Sequence, residues 1–249
     1  MKKVLFSSLL LLFVTYGIAS AGMFGPTEPA AQPGKFSLGV GYFFDDTRWK
    51  TDGDDTRTQS NMGYLEGSFA PIKEFEVFGR LGGADLRTKG EDPNFADSAK
   101  IFGTLGVKAI FYQDKMFGFG AFAQGTYHFQ DYKDSYSDTV TVGGVVVPAT
   151  IDAKIKDFYN VQAGLSAQVK IQNFIIYGGG FWYYARAKVE ATGSAAGVTV
   201  DLGSDTFKEK TPIGGFLGVK IPFTKQISLN LEGQYRDDLA GGAILRYAF

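Results

Sequence analysis

The chain contains no cysteine and a single histidine, His128, among 249 residues. Without thiols there is no disulfide scaffold, no thiol nucleophile, no zinc-thiolate site and no lipid-anchored N-terminus. Charge of a dominant sign is also missing: 25 Lys+Arg stand against 26 Asp+Glu. Nothing in that balance calls for nucleic acid as a partner. Beyond residue 21 there is no uncharged apolar run approaching the ~20 residues a membrane-crossing helix requires. If the mature chain enters a membrane, it must do so as strands.

What the sequence has in quantity is glycine (33 residues) and aromatics (23 Phe, 13 Tyr, 2 Trp). That combination suits a sheet protein with tight turns and interfacial rings. Residues 1–21 read as a secretory leader: Lys2 and Lys3 are the basic start, Val4 to Val14 the short apolar run, and Ala19-Ser20-Ala21 the small-residue cleavage pattern. Cleavage is expected after Ala21. Gly22 to Gly34, rich in Pro and Gly, reads as a flexible periplasmic lead-in, and 35–249 as one domain.

Over 35–249 the chain falls into about ten alternating segments of the length a tilted membrane strand needs, ~9–11 residues. In the cleanest, Phe158 to Lys170, Tyr159, Val161, Ala163, Leu165, Ala167 and Val169 alternate with Asn160, Gln162, Ser166 and Gln168. Four connections are tight (Pro71–Glu74, Tyr112–Met116, Ile171–Phe174, Pro222–Gln226), and they alternate with longer polar ones at Asp45–Ser60, Asp85–Ala99, Gln130–Asp157 and Ala187–Pro212. Thr139 to Thr150, with Gly143-Gly144 at its centre, and Val189 to Leu202 read as hairpins built into two of those loops. The predicted fold is all-β: an antiparallel up-and-down transmembrane barrel of about ten strands, with eight or twelve as alternatives, short periplasmic turns and long extracellular loops.

The last segment, A-G-G-A-I-L-R-Y-A-F, places Leu245, Tyr247 and Phe249 on one face. It resembles the closing strand of bacterial outer-membrane β-barrels, and the chain as a whole is similar to the small barrels that include the OmpA-like transmembrane domain and the porins. The resemblance implies that Leu245, Tyr247 and Phe249 are read by the barrel-insertion machinery. It also implies residence in a Gram-negative outer membrane, beside lipids and lipopolysaccharide. It carries over no functional residues.

Parity places Glu66, Glu76, Arg80, Lys108, Arg186, Lys220, Glu232 and Arg246 on the lumen side. Glu66 and Arg80 are expected to pair across one turn, and Glu232 and Arg246 across another, because an unpaired buried charge is costly. Such pairs serve as an ionic gate or plug, or simply satisfy a packed lumen. Rings on the same face, among them Phe43, Phe78, Phe102, Phe122, Trp182, Tyr184 and Phe216, are interleaved with glycines. They either interdigitate as a core or line a slot for an apolar solute.

Catalysis has little to stand on. Barrels that deacylate lipids place a His two residues before a Ser, and no Ser holds that spacing from His128; outer-membrane proteases use Asp-x-His, and position 126 is Thr. No nucleophile is visible for His128 to activate, so the chain reads as non-enzymatic. Acids cluster in two loops (Asp45, Asp46, Asp52, Asp54, Asp55; Asp131, Asp134, Asp138), but in no Ca²⁺-loop pattern, and basic residues are interspersed. No metal or cofactor is expected. The function classes left are porin-like passage of small solutes or a structural role in the membrane, surface recognition of a ligand through the loops, and, least supported, a lipid-acting enzyme with His128 as base.

Overall fold

The structure, a computed structural model, describes residues 22–50, 55–89, 95–142, 145–195 and 197–249. The leader, Asp52, Asp54 and the Gly143-Gly144 turn lie outside the described residues.

Twelve strands follow one another: β1 (Lys35–Lys50), β2 (Asp55–Ile72), β3 (Phe75–Lys89) and β4 (Ala96–Gln113). Next come β5 (Phe117–His128), β6 (Tyr132–Val142), β7 (Val145–Ile171) and β8 (Phe174–Ala195). β9 (Val198–Glu209), β10 (Ile213–Pro222), β11 (Ile227–Tyr235) and β12 (Leu239–Ala248) complete the chain. Ten of them form a closed antiparallel barrel in the order β1-β2-β3-β4-β5-β7-β8-β10-β11-β12, with β12 pairing back on β1. Closure matters physically, because it leaves no row of unpaired backbone groups for a lipid environment to reject. The ten expected segments are these ten strands, and the four tight connections all sit at one rim.

The outer wall is apolar throughout its middle: Leu65, Leu105, Ile213 and Leu217 are each about two-thirds exposed or more (67%, 75%, 70% and 66%). Exposed leucines in such a band are unfavourable in water and at home in hydrocarbon.

At the opposite rim the structure departs from a picture of irregular loops. The ladder β1–β2 runs on to Lys50↔Asp55, and β2–β3 to Arg57↔Lys89. β7, 27 residues long, and β8, 22 residues long, continue together past the barrel, where β6 pairs on one side of β7 and β9 on the far side of β8. Both expected hairpins are therefore present, closing at Val142↔Val145 and Ala195↔Val198, and joined into one four-stranded blade. Its strands stand roughly 40 Å beyond the end of β5, at ~3.3 Å per residue. The joint between blade and barrel is a register shift between Lys156 and Tyr159, with Asp157 at φ 51°. A bulge of this kind bends the strand, and Asp tolerates the left-handed conformation better than most residues.

Inside, rings and glycines are matched one to one across the ladder. Tyr64 faces Gly41, Phe78 faces Gly106, Phe122 faces Gly164, and Tyr177 and Phe181 face Gly218 and Gly214. A methyl added to Gly106 would lie 2.2 Å from Phe78 Cζ, so the ring lies directly over the bare backbone. This is the interdigitated core and not a slot.

One strand has the reverse of its expected parity. In β8 the inward residues are Ile175, Tyr177, Phe181 and Tyr183, while Trp182 is 47% exposed and stacks outside on Tyr184. Arg186 is likewise on the exposed side and not in the lumen. Both faces of β8 are apolar, so alternation alone does not choose between them. The choice is made by pairing with β10, which sets Phe181 over Gly214 and Tyr177 over Gly218.

Candidate functional site

The segment 22–34 is not a flexible lead-in. From Lys35 it turns back into the barrel at the tight-turn rim and climbs the lumen, with Met23, Phe24 and Thr27 at most 1% exposed. A barrel of about eight strands is filled by its own side chains, and ten strands leave extra width. Here that width is taken up by the chain's own N-terminal segment.

Its attachment can be followed upward from the rim. Ala30 N–H donates to Glu76 Oε2 (2.5 Å), and the Glu28 N–H lies 3.4 Å from Gln168 Oε1. Halfway up, Glu232 accepts from two successive backbone N–H groups, Phe24 at 2.9 Å and Gly25 at 2.8 Å, and from Gln234 Nε2 at 2.7 Å. The Met23 carbonyl accepts from Arg80 Nη2 (2.6 Å), and the Gly22 carbonyl from Gln124 and Gln234 (3.1 Å each). Hydrogen bonds to charged partners are the strong ones, and this segment has them from Glu76, Glu232 and Arg80. Apolar contact completes the hold: Phe24 stacks on Phe122 at 4.1 Å and meets Phe181 and Phe216 at 4.9 and 5.0 Å.

Glu66 and Arg80 come together, with Nε to Oε2 at 2.8 Å and both side chains buried. Glu232 and Arg246 do not. The β11–β12 hairpin turns so tightly that Tyr235 pairs with Leu239, which sets Glu232 opposite Gly242 and Arg246 opposite Ser228. A turn centred near residues 238–239 would have aligned the two charges; the real centre is Asp237, and the partners slide past each other. Arg246 instead reaches across β1 to the other oxygen of Glu66 (2.6 Å). One carboxylate thus holds two guanidiniums. Lys108 pairs with Glu76 at 3.1 Å.

Above the segment an aromatic layer packs at the barrel mouth. His128 stacks on Phe158 (4.2 Å) and lies near Phe102 (5.8 Å). Tyr132 gives its one proton to the Ala84 carbonyl (3.1 Å), so His128 Nδ1 is the donor in the 2.9 Å contact with the Tyr132 oxygen. These contacts describe a packed, hydrogen-bonded ring. Leu86, Phe95, Ile155, Val189 and Phe207, from loop and blade, are buried in the same cluster.

The loop acids are engaged locally. Asp46 takes a two-pronged contact from Arg57 (2.7 and 2.8 Å) and a third bond from Gln59, while Asp131 pairs with Lys154 and Asp134 accepts from the Ala96 N–H. At the chain end, Leu245, Tyr247 and Phe249 all face outward, 43%, 40% and 55% exposed, and the Phe249 N–H bonds the Phe36 carbonyl at 3.0 Å.

No protein-family model and no curated protein matches the sequence. Among solved structures, the chain is similar to the translocator domain of autotransporter NalP from Neisseria meningitidis, at 9% identity, covering 100% of this chain and 98% of that one, TM-score 0.47. It is also similar to the COG4313 outer membrane channel from Pseudomonas putida F1, at 11% identity, covering 92% and 100%, TM-score 0.45. A third is outer membrane protease OmpT from Escherichia coli, at 9% identity, covering 86% and 95%, TM-score 0.40.

Proposed function

We propose that this protein is an integral outer-membrane barrel, closed along its axis at rest, whose working surface is the blade β6–β9. The tight-turn rim then faces the periplasm, where the exported N-terminal segment enters the lumen, and the blade stands outside the cell. The observation that carries this reading is that the chain's own rings pack inside the lumen at two levels, Phe24 and its neighbours at mid-height and the Phe102–His128–Phe158 layer at the mouth. A blade bearing charged pairs such as Lys188–Glu190 on one face and exposed Val198 and Val200 on the other is a surface for recognising a ligand, and the barrel is its anchor.

The experiment is conductance of the mature protein in a planar bilayer, paired with ligand capture by intact cells. Silence is expected from inserted, folded protein. Binding to a panel of glycans and matrix proteins should be lost when 138–149 is replaced by a two-residue turn. Discrete conductance steps from the intact chain would overturn the reading.

A second reading, gated passage of small solutes, is favoured by one observation: the N-terminal segment meets the wall through hydrogen bonds and ring contacts, which are reversible. Under it, deleting 22–34 should open steps that the intact chain lacks.

A further inference from the structure

On the outer side of barrel and blade, Lys154 pairs with Asp131, Lys156 and Lys188 with Glu190, and Arg57 with Asp46. Arg186 and Lys208 stand outside this pattern. They are direct partners across β8 and β9, both are exposed, and among the described residues neither belongs to an ion pair. Their chain neighbours Ala185, Ala187 and Phe207 are buried, so both long side chains lie on the outward face. Glu209 and Glu190, acids further along the two strands, are taken by the Ala185 N–H and by two lysines. Like charges facing one another across a ladder repel, so the pair lacks an anion that the chain does not supply.

The cations stand just above a girdle of rings. Trp182 stacks on Tyr184 at 6.1 Å, and Tyr184 lies 6.1 Å from Tyr159. Arg186 follows Tyr184 by two residues, ~7 Å along the strand. Rings of this kind mark the headgroup level of a membrane, which puts Arg186 and Lys208 where lipid phosphates lie. Below them the wall carries a groove of about 900 Å³, floored by Gly67, Gly79, Gly103 and Gly125 and edged by Leu105 and Tyr159. Groove and cations share one rung: Gly103, Tyr127, Tyr159, Arg186 and Lys208 are successive cross-strand partners. The rung climbs away from the tight turns, since Leu81, opposite Gly103, is the seventh residue of β3 and Arg186 the thirteenth of β8. Three strand spacings, ~14 Å in all, separate Gly103 from Arg186.

We infer that this face holds a membrane lipid with a phosphate monoester on its headgroup, the phosphate on Arg186 and Lys208 and an acyl chain in the glycine-floored groove. A phosphate monoester brings close to two negative charges and three acceptor oxygens, enough for the guanidinium fork and the ammonium together. The apolar groove favours a lipid over free phosphate or an acidic peptide, neither of which would fill it. With the blade outside the cell, as proposed above, that lipid is a phosphorylated glycolipid of the outer leaflet.

The test is native mass spectrometry of the mature protein in an uncharged detergent, titrated with diphosphoryl lipid A. A saturable adduct is expected, absent with the dephosphorylated lipid and not displaced by inorganic phosphate. Arg186→Ser with Lys208→Ser should weaken it about tenfold or more through loss of charge-assisted contacts. Gly125→Leu should weaken it too, since its side chain enters the groove, where the nearest atom to a Cβ is the Asn160 carbonyl oxygen at 3.7 Å. Lys133→Ser with Lys225→Ser, exposed lysines elsewhere, should leave it unchanged. Circular dichroism checks that each variant is folded. Undiminished binding by the Arg186 and Lys208 variant, an equal loss in the Lys133 and Lys225 variant, or equal binding of the dephosphorylated lipid would overturn the site. Displacement by inorganic phosphate would overturn the lipid as its ligand, and full binding by Gly125→Leu would overturn the groove. Micelles impose no orientation, so failure here would strike the lipid site and leave the placement of the blade as it stands.

Discussion

At the scale of single residues, the lumen is governed by how few carboxylates serve how many cations. Glu66 is shared by Arg80 and Arg246, so its removal strands two buried guanidiniums, whereas removal of Arg80 leaves the Glu66–Arg246 pair intact. Breaking a buried pair by deleting the shared partner costs roughly 3–5 kcal/mol. Losing hydrogen bonds to one charged group costs about 1.5–3 kcal/mol. Glu66→Ala is therefore expected to lower the urea midpoint of the barrel in lipid vesicles more than Arg80→Ala does. On the blade, Glu190 is held below the usual carboxylate range by hydrogen bonds from Lys156 and then Lys188. A depressed carboxylate contributes stability above its unfolded pKa and loses it as pH falls through the folded one. Acidification below the ordinary carboxylate range should therefore lower the amide protection factors across the β7–β8 extension, relative to the intrinsic exchange rate at each pH, and Glu190→Gln should keep its protection factors constant over the same range. Glu66 and Arg80 were legible as an inward pair because a tight turn fixes their separation. The Arg246 partnership was not, because it crosses β1, from the last strand to the second.

At the scale of elements, alternation identified each barrel strand but not every facing. Where one face is polar, as in β7, period two settles which side looks inward. In β8 both faces are apolar, and only the fit of Phe181 and Tyr177 over glycines of β10 decides. The N-terminal segment is the larger departure. Gly and Pro mark it as non-helical, yet between Gly22 and Gly34 the only charge is Glu28, and Met23-Phe24 would be poorly placed in water. Low charge with an apolar pair was the available signal of burial. Phe24 is the segment's main anchor, and Phe-to-Ala changes in packed cores cost about 3–5 kcal/mol. Phe24→Ala should release the segment without opening the barrel. Hydrogen exchange at Phe24 and Gly25 should become fast, while the β1–β12 ladder stays protected; equal protection throughout would mean the segment is held by its hydrogen bonds alone.

At the scale of the whole molecule, the barrel is a closed wall with its own N-terminal segment packed inside and a blade extending beyond one rim. The end of the chain has a role to test here as well. Phe249 lies outside the wall with its ring 5.0 Å from Tyr247, so it contributes little to the packed interior. If Leu245, Tyr247 and Phe249 are an insertion signal, Phe249→Ala should slow assembly into the outer membrane of cells while refolding in detergent proceeds at the unaltered rate. A similar delay in both would make Phe249 merely structural. The amino-acid sequence by itself determined the all-β class, a barrel of about ten strands, the tight and long rims and the two hairpins, since each follows from period-two alternation and turn residues read locally. Tertiary structure alone decided which carboxylate serves which arginine, which face of β8 looks inward, and that residues 22–34 fill the lumen. Those outcomes depend on barrel width and on cross-strand register, which arise only when the first strand meets the last.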